Sequence, residues 1–205
     1  MAGLFITFEG GDGSGKSTQS VLLESWLREQ GREVVVSREP GGTDLGLELR
    51  KIILHRRGYI APRAEALLYA ADRAHNVATL VRPAMQRGGI VVQDRYLDSS
   101  VAYQGAGRVL DADEVRDLSV WATEGLLPDL TVLLDLDVAT GRARLDADDK
   151  AFDRLEAEKD EFHSRVREGY LALAAAEPQR FVVIDGSLPA DEITAVIRDR
   201  VAALL

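Results

Sequence analysis

Cysteine is absent from the 205 residues, so disulfide bonds and thiolate zinc sites are excluded. The chain fits a reducing compartment, and a cytoplasmic location is expected. A basic surplus is absent as well: 25 Lys and Arg against 34 Asp and Glu leave a formal charge of −9. Non-specific nucleic-acid binding depends on neutralising many phosphates with cations, so no nucleic-acid partner is expected. No stretch approaches the roughly 18 apolar residues of a membrane span, so no membrane partner is expected either. Met1–Glu9 enters an apolar run with no basic leader, which argues against a signal peptide. The three histidines, His55, His75 and His163, have no metal-ligand spacing. Tandem repeats, low-complexity tracts and Gly/Ser linkers are also missing. With 46% hydrophobic residues, residues 1–205 are expected to form one domain with room for a small lid.

What is present alternates. Five short apolar runs, Leu4–Phe8, Glu33–Ser37, Ile90–Gln93, Thr131–Leu136 and Phe181–Ile184, read as strands buried on both faces of a parallel sheet. Between them the pattern predicts helices over 16–30, 44–55, 62–87, 111–124, 138–146, 151–176 and 189–204. In the stretch 151–176, Phe152, Leu155, Phe162, Val166, Tyr170 and Leu173 recur at helical spacing. Pro62 and Pro189 sit where a first helical turn tolerates proline. The fold class is α/β, a three-layer sandwich with right-handed crossovers.

Gly10-Gly11-Asp12-Gly13-Ser14-Gly15-Lys16-Ser17-Thr18 matches G-x-x-x-x-G-K-[ST] at every fixed position, between an apolar strand and an amphipathic helix. Glycines let such a loop aim its N–H groups at phosphate, and the helix adds its positive dipole end. Lys16 is expected to reach the β- and γ-phosphates of ATP, and Ser17 to ligate Mg²⁺. Ile90–Gln93 ends in Asp94, a Walker B layout in which the carboxylate holds the metal through water. A guanine-reading N/T-K-x-D motif is lacking, which weighs against a GTPase switch. Arg38, Arg50, Arg73 and Arg95 are candidates to meet a second phosphate at the same sheet rim, since arginine grips two oxygens at once. At this level a nucleotide kinase, a P-loop ATPase and a switch acting through a protein partner all stay open.

Further elements narrow the choice. Arg38-Glu39-Pro40-Gly41-Gly42-Thr43, then Glu65–Arg73 (EALLYAADR), then Asp94-Arg95-Tyr96 and Ser99–Gly105 (SSVAYQG), together with the P-loop, resemble the thymidylate kinase family along nearly the whole chain. The resemblance implies a P-loop nucleoside monophosphate kinase fold with a five-stranded parallel sheet and a small lid. It also implies transfer of the ATP γ-phosphoryl group to dTMP with Mg²⁺, in dTTP synthesis. Arg95 inherits the grip on the acceptor phosphate, with Arg38 a weaker candidate for it, and Glu39 and Arg50 line the acceptor pocket. Tyr69, where phenylalanine is usual, stacks on thymine, and Arg73 meets its carbonyl edge. Ser100 and Gln104 contact the base. Tyr103 crowds the sugar against a 2′-hydroxyl, and Glu9 faces the sugar or the metal.

Some members of that family carry an arginine inside the P-loop. Asp12-Gly13-Ser14 has none, so the resemblance assigns the catalytic cation to a lid at about 140–156. Arg154, in Asp153-Arg154-Leu155-Glu156, is its best-placed candidate, with Lys150 a second and poorer clamp, and Arg142 is expected against adenine. Arg144 and Lys150 read as charges on a solvated helix pair. The resemblance also implies a homodimer, through apolar faces of helices 62–87 and 111–124. No general base is required, because a monophosphate with a second pKa of about 6 is already largely dianionic at neutral pH.

Overall fold

The computed structural model describes residues 3–56, 58–108, 110–147 and 152–205. The five apolar runs form β1 (Leu4–Glu9), β2 (Val34–Arg38), β3 (Ile90–Asp94), β4 (Leu130–Asp135) and β5 (Phe181–Asp185), each within one residue of its expected ends. All pair in parallel in the order β2-β3-β1-β4-β5. The register sets Asp94 beside both Phe8 and Arg38. The carboxyl ends of the three strands that carry Glu9, Asp94 and Arg38 therefore share one rim, where open α/β sheets bind ligands.

The helices are α1 (Lys16–Glu29), α2 (Asp44–His55), α3 (Pro62–Asn76), α4 (Arg82–Gln86), α5 (Leu97–Ser100), α6 (Ala112–Ala122), α7 (Val138–Ala147), α8 (Asp160–Ala176) and α9 (Ala190–Ala202). Strand side chains alternate between two cores. Ile6, Phe8, Val92, Val132 and Leu134 meet Leu23 and Leu27 of α1 and Ile193, Ile197 and Val201 of α9. Phe5 and Val91 point the other way, to Val77, Val81, Tyr96 and Leu97, while Leu133 meets Phe162, Val166 and Tyr170 of α8. The sheet is thus sandwiched, as the sequence implies. The edge strands are the least buried, with Val36 and Val183 exposed. Among the described residues no helix is long and apolar enough to cross a membrane.

Three helical expectations change. The stretch 62–87 is continuous but changes pitch: a π segment at Val77–Val81 joins α3 to α4. The helix expected from 151 begins at Asp160. Ahead of it, Asp153 accepts from the N–H groups of Leu155 (2.8 Å) and Glu156 (2.9 Å), while the Glu156 carboxylate accepts from Asp153 N–H (2.8 Å). This reciprocal box closes a separate turn. Leu155 still enters the core beside Phe162, from the turn and not from the helix. Finally, α5 runs into a second π segment, Val101–Gly107, where no helix was expected. Its glycines serve packing: a Cβ at Gly107 would lie 2.7 Å from the Phe162 ring, so α8 can approach only a glycine there.

Candidate active site

The loop between β1 and α1 turns on glycines in left-handed conformations, Gly13 at φ 75° and Gly15 at φ 96°. Gly15 is the N-cap of α1, so no side chain takes the first helical N–H groups and they remain for an anion. Lys16 Nζ, buried, donates to the carbonyls of Gly10 (3.0 Å) and Gly11 (2.7 Å) and lies 3.4 Å from Ser14 Oγ. Burial, reinforced by the nearby Arg95 guanidinium, lowers its ammonium to about 8. Ser17 Oγ donates to Asp94 Oδ2 at 3.1 Å, and Asp94 Oδ1 is buried without a hydrogen-bond partner among the described residues. A hydroxyl beside a half-satisfied carboxylate suits Mg²⁺, which keeps waters and phosphate oxygens as most of its ligands. Among the described residues no cluster of three or more His, Cys, Asp or Glu offers a fuller protein cage.

Arg95 follows Asp94 in a left-handed conformation (φ 68°), unusual for a side chain of its size. The turn is held from below. Arg95 N–H donates to Phe8 O at 2.9 Å, and Tyr96 N–H donates to Glu9 Oε1 at 2.7 Å. Glu9 Oε2 accepts from Ser99 Oγ (2.6 Å) and Tyr170 Oη (2.9 Å). Burial and the Asp98 carboxylate push Glu9 up to about 7. Glu9, expected at the sugar or metal, therefore lies beneath the cavity and shapes the turn. The Arg95 guanidinium donates to Asp12 and Gly10 O (3.2 Å) and sits over the Tyr103 ring, 5.0 Å from its centre. Arg95 and Lys16 together outweigh the burial that would raise Asp12, and its carboxyl lies below the usual range.

One cavity of about 630 Å³ runs from the P-loop past Arg95 to a floor formed by Tyr69, Arg73, Ser100, Tyr103 and Gln104. Arg38, Glu39 and Arg50 line it too. Arg73 is buried, and four of its five N–H groups are taken: by Glu39 (2.8 Å), Ser119 (3.0 Å), Tyr96 O (3.0 Å) and Ser100 (3.0 Å). The fifth, on Nη1, has no partner among the described residues. Glu39 is an anchor for that guanidinium, also bonded by Gln93 at 2.9 Å, and burial pushes it up to about 7. Arg50 donates to Pro40 O at 2.9 Å. Tyr69 is 8% exposed, and no described residue hydrogen-bonds its hydroxyl.

The lid cations fall differently from expectation. Arg154 is absent from the cavity wall; it donates to Ile53 O at 2.9 Å and pairs with Glu65. Arg142, expected at adenine, turns to α8, 3.4 Å from both Glu158 O and Asp160, with Phe152 against its guanidinium. Arg144 instead reaches the P-loop, donating to Gly13 O (3.2 Å) and Gly186 O (3.1 Å). The cause is helical phase. Gly141 lies so close to Asp12 O that a Cβ would stand 2.7 Å away. Residues three and four further on share that face, whereas Arg142 does not. Lys150 lies outside the described residues.

The family described as thymidylate kinase matches residues 8–197. The chain is 70% identical to the thymidylate kinase of Clavibacter sepedonicus, over all of this chain and 97% of that one. It is 73% identical to that of Leifsonia xyli subsp. xyli, over 97% and 94% respectively. The chain belongs to the thymidylate kinase family. A solved thymidylate kinase from Ehrlichia chaffeensis superposes with a TM-score of 0.80 at 30% identity, covering 98% of this chain and 99% of that one. As a thymidylate kinase family member it is a nucleoside monophosphate kinase, a phosphotransferase.

Several residues at the family site escaped sequence reasoning. Tyr170 reaches Glu9 and Arg95 from a helix far away in sequence, and nothing local marks it; Ser99, four residues after Arg95, bonds the same two groups but was read only as part of a motif. Arg144 carried one usable signal, the glycine three residues before it.

Proposed function

We propose that the chain transfers the γ-phosphoryl group of ATP to dTMP, giving dTDP and ADP, for dTTP synthesis. The observation that carries this reading is one continuous cavity with a phosphate cradle at one end and an arginine, an amide and an aromatic ring at the other. Thymine offers carbonyl oxygens, one imide N–H and a flat face. Arg73 suits a carbonyl, Gln104 suits the imide, and the Tyr69 ring suits the face.

The P-loop N–H groups and Lys16 bind the donor phosphates, and Lys16 exchanges the Gly10 and Gly11 carbonyls for phosphate oxygens. Ser17, and Asp94 through water, would hold Mg²⁺, which when bound supplies charge neutralisation for the phosphate oxygens. Arg95 exchanges Asp12 and Gly10 O for the acceptor phosphate, with Arg38 and Arg50 further along the wall. Tyr103, packed under Arg95, crowds the sugar where a 2′-hydroxyl would sit. Arg144 contributes positive charge on the donor side. Residues of about 140–156 act as the lid that excludes water from the phosphates, and Arg154 ties its end to the acceptor side. Catalysis is then positioning and charge neutralisation, with no proton-abstracting base. A homodimer through α3 and α6, where Leu67 is 57% and Trp121 is 79% exposed, and a cytoplasmic setting complete the reading.

The test is product identity. With ATP labelled at its γ-phosphorus and dTMP as acceptor, the label should appear as the β-phosphorus of dTDP. Label released only as inorganic phosphate would contradict the proposal.

A further inference from the structure

Glu65 of α3, 1% exposed, collects three groups from two other stretches of the chain. Gln104 Nε2 donates to its Oε1 at 2.9 Å, Arg154 pairs with its Oε2, and Arg108 lies 3.6 Å from Oε1. Nothing in the reaction itself calls for this carboxylate. Its chemistry, however, constrains a neighbour. A carboxylate flanked by two guanidiniums accepts hydrogen bonds and donates none. The end of the Gln104 amide that faces it must then be the NH₂ group, a conclusion that follows from the hydrogen-bond network and not from the shape of the amide. The other end is fixed by default. Gln104 Oε1 accepts from no described residue, and it is the polar atom that Gln104 can offer to the cavity it lines.

We infer that Glu65 sets the base specificity of the acceptor site by holding the Gln104 carboxamide with its oxygen toward the cavity. The inference rests on the dTMP reading above. An acceptor from Gln104 and a donor from Arg73, both on the wall of the one cavity, match an imide edge, N–H beside C=O. Cytosine presents the reverse, a bare ring nitrogen beside an amino group, and sets like against like at both contacts. A flipped Gln104 would satisfy the cytosine ring nitrogen. Glu65 is what makes the flip costly, because a carbonyl oxygen would then face a carboxylate. Because Arg154 pairs with the same carboxylate, the end of the lid and the base-reading amide share one anchor.

The experiment compares kcat/KM for dTMP and dCMP in the unsubstituted protein, Glu65→Gln and Glu65→Asp, with N3-methyl-dTMP as a further acceptor for the unsubstituted protein. That protein should strongly prefer dTMP over both other acceptors; absence of this preference sinks the base reading itself. Given that preference, both variants should lose it by on the order of 10- to 100-fold, the effect of freeing one buried polar contact. Glu65→Gln lets either amide end face Gln104. Glu65→Asp keeps the charge for Arg154 and Arg108 but withdraws it from Gln104, so it remains informative if the Gln variant folds poorly. A parallel fall in both substrates, with the dTMP-to-dCMP ratio unchanged, would overturn the inference and leave Glu65 an anchor for packing alone.

Discussion

Replacing Arg180 by methionine should both destabilise the protein and blunt its use of dTMP. Arg180 precedes β5 at the end of the sheet away from the ligand rim. Its guanidinium bonds Asp98 through two nitrogens, at 2.7 and 2.9 Å, and also Thr131 Oγ1 at 2.7 Å and Glu177 at 2.9 Å. Asp98 is completely buried. Removing the cation strands a carboxylate in the interior, a change that costs about 3–5 kcal/mol when one partner of a buried pair is lost. For a domain of this size, that lowers the melting temperature by roughly 6–20 °C. Asp98→Asn added to Arg180→Met should recover part of the loss, because a neutral amide is cheaper to bury. The functional consequence follows from chain continuity. Asp98 is followed by Ser99 and Ser100, which bond Glu9 and Arg73, so loosening α5 disturbs the acceptor side first. KM for dTMP should rise while KM for ATP holds. Denaturant unfolding and steady-state kinetics on the two variants give both readouts. A stability loss below about 1 kcal/mol, the range of an exposed pair, would refute the reasoning.

Three other perturbations probe the reaction directly. Arg95→Ala removes a charge-assisted grip on the acceptor phosphate and should lower kcat/KM for dTMP by on the order of 100-fold or more, with ATP binding by calorimetry little changed; an unchanged dTMP KM would remove Arg95 from acceptor binding. Lys16 is protonated in the free enzyme only below its lowered value of about 8, so kcat/KM for ATP should decline as pH rises through that region. A flat profile to pH 10 would show that Lys16 keeps its ordinary lysine value. Asp94→Asn should raise the Mg²⁺ concentration for half-maximal rate by about 10-fold or more, since it removes the charge of the carboxylate proposed to hold the metal's water; an unaltered Mg²⁺ dependence would exclude that role.

The strands, the P-loop and Asp94 were legible because their signals are local: a β-branched run, a fixed string of glycines, a carboxylate ending a strand. The face of α7 was not. Arg142 and Arg144 look alike in sequence, and only the seating of Gly141 on the P-loop decides which one reaches that loop. The lid end misled for a related reason. Phe152 and Leu155 extend the apolar stripe of α8 backwards, yet Asp153 and Glu156 cap each other and close a turn before Asp160. The glycine-bearing stretch 101–107 reads as loop, because the helix α8 that makes glycine useful there lies some sixty residues away. The strand-end position of Glu9 was legible too, but the partners that bond its carboxylate, Ser99 and Tyr170, are remote from it in sequence.

The central claim, phosphoryl transfer from ATP to dTMP, is tested most directly by ADP release from Mg-ATP with dTMP, dUMP, AMP, CMP and GMP as separate acceptors beside a control without acceptor. The account predicts strong stimulation by dTMP, a weaker response to dUMP and little from the others. ADP release that is the same with and without every acceptor, in protein that still binds ATP, would contradict it.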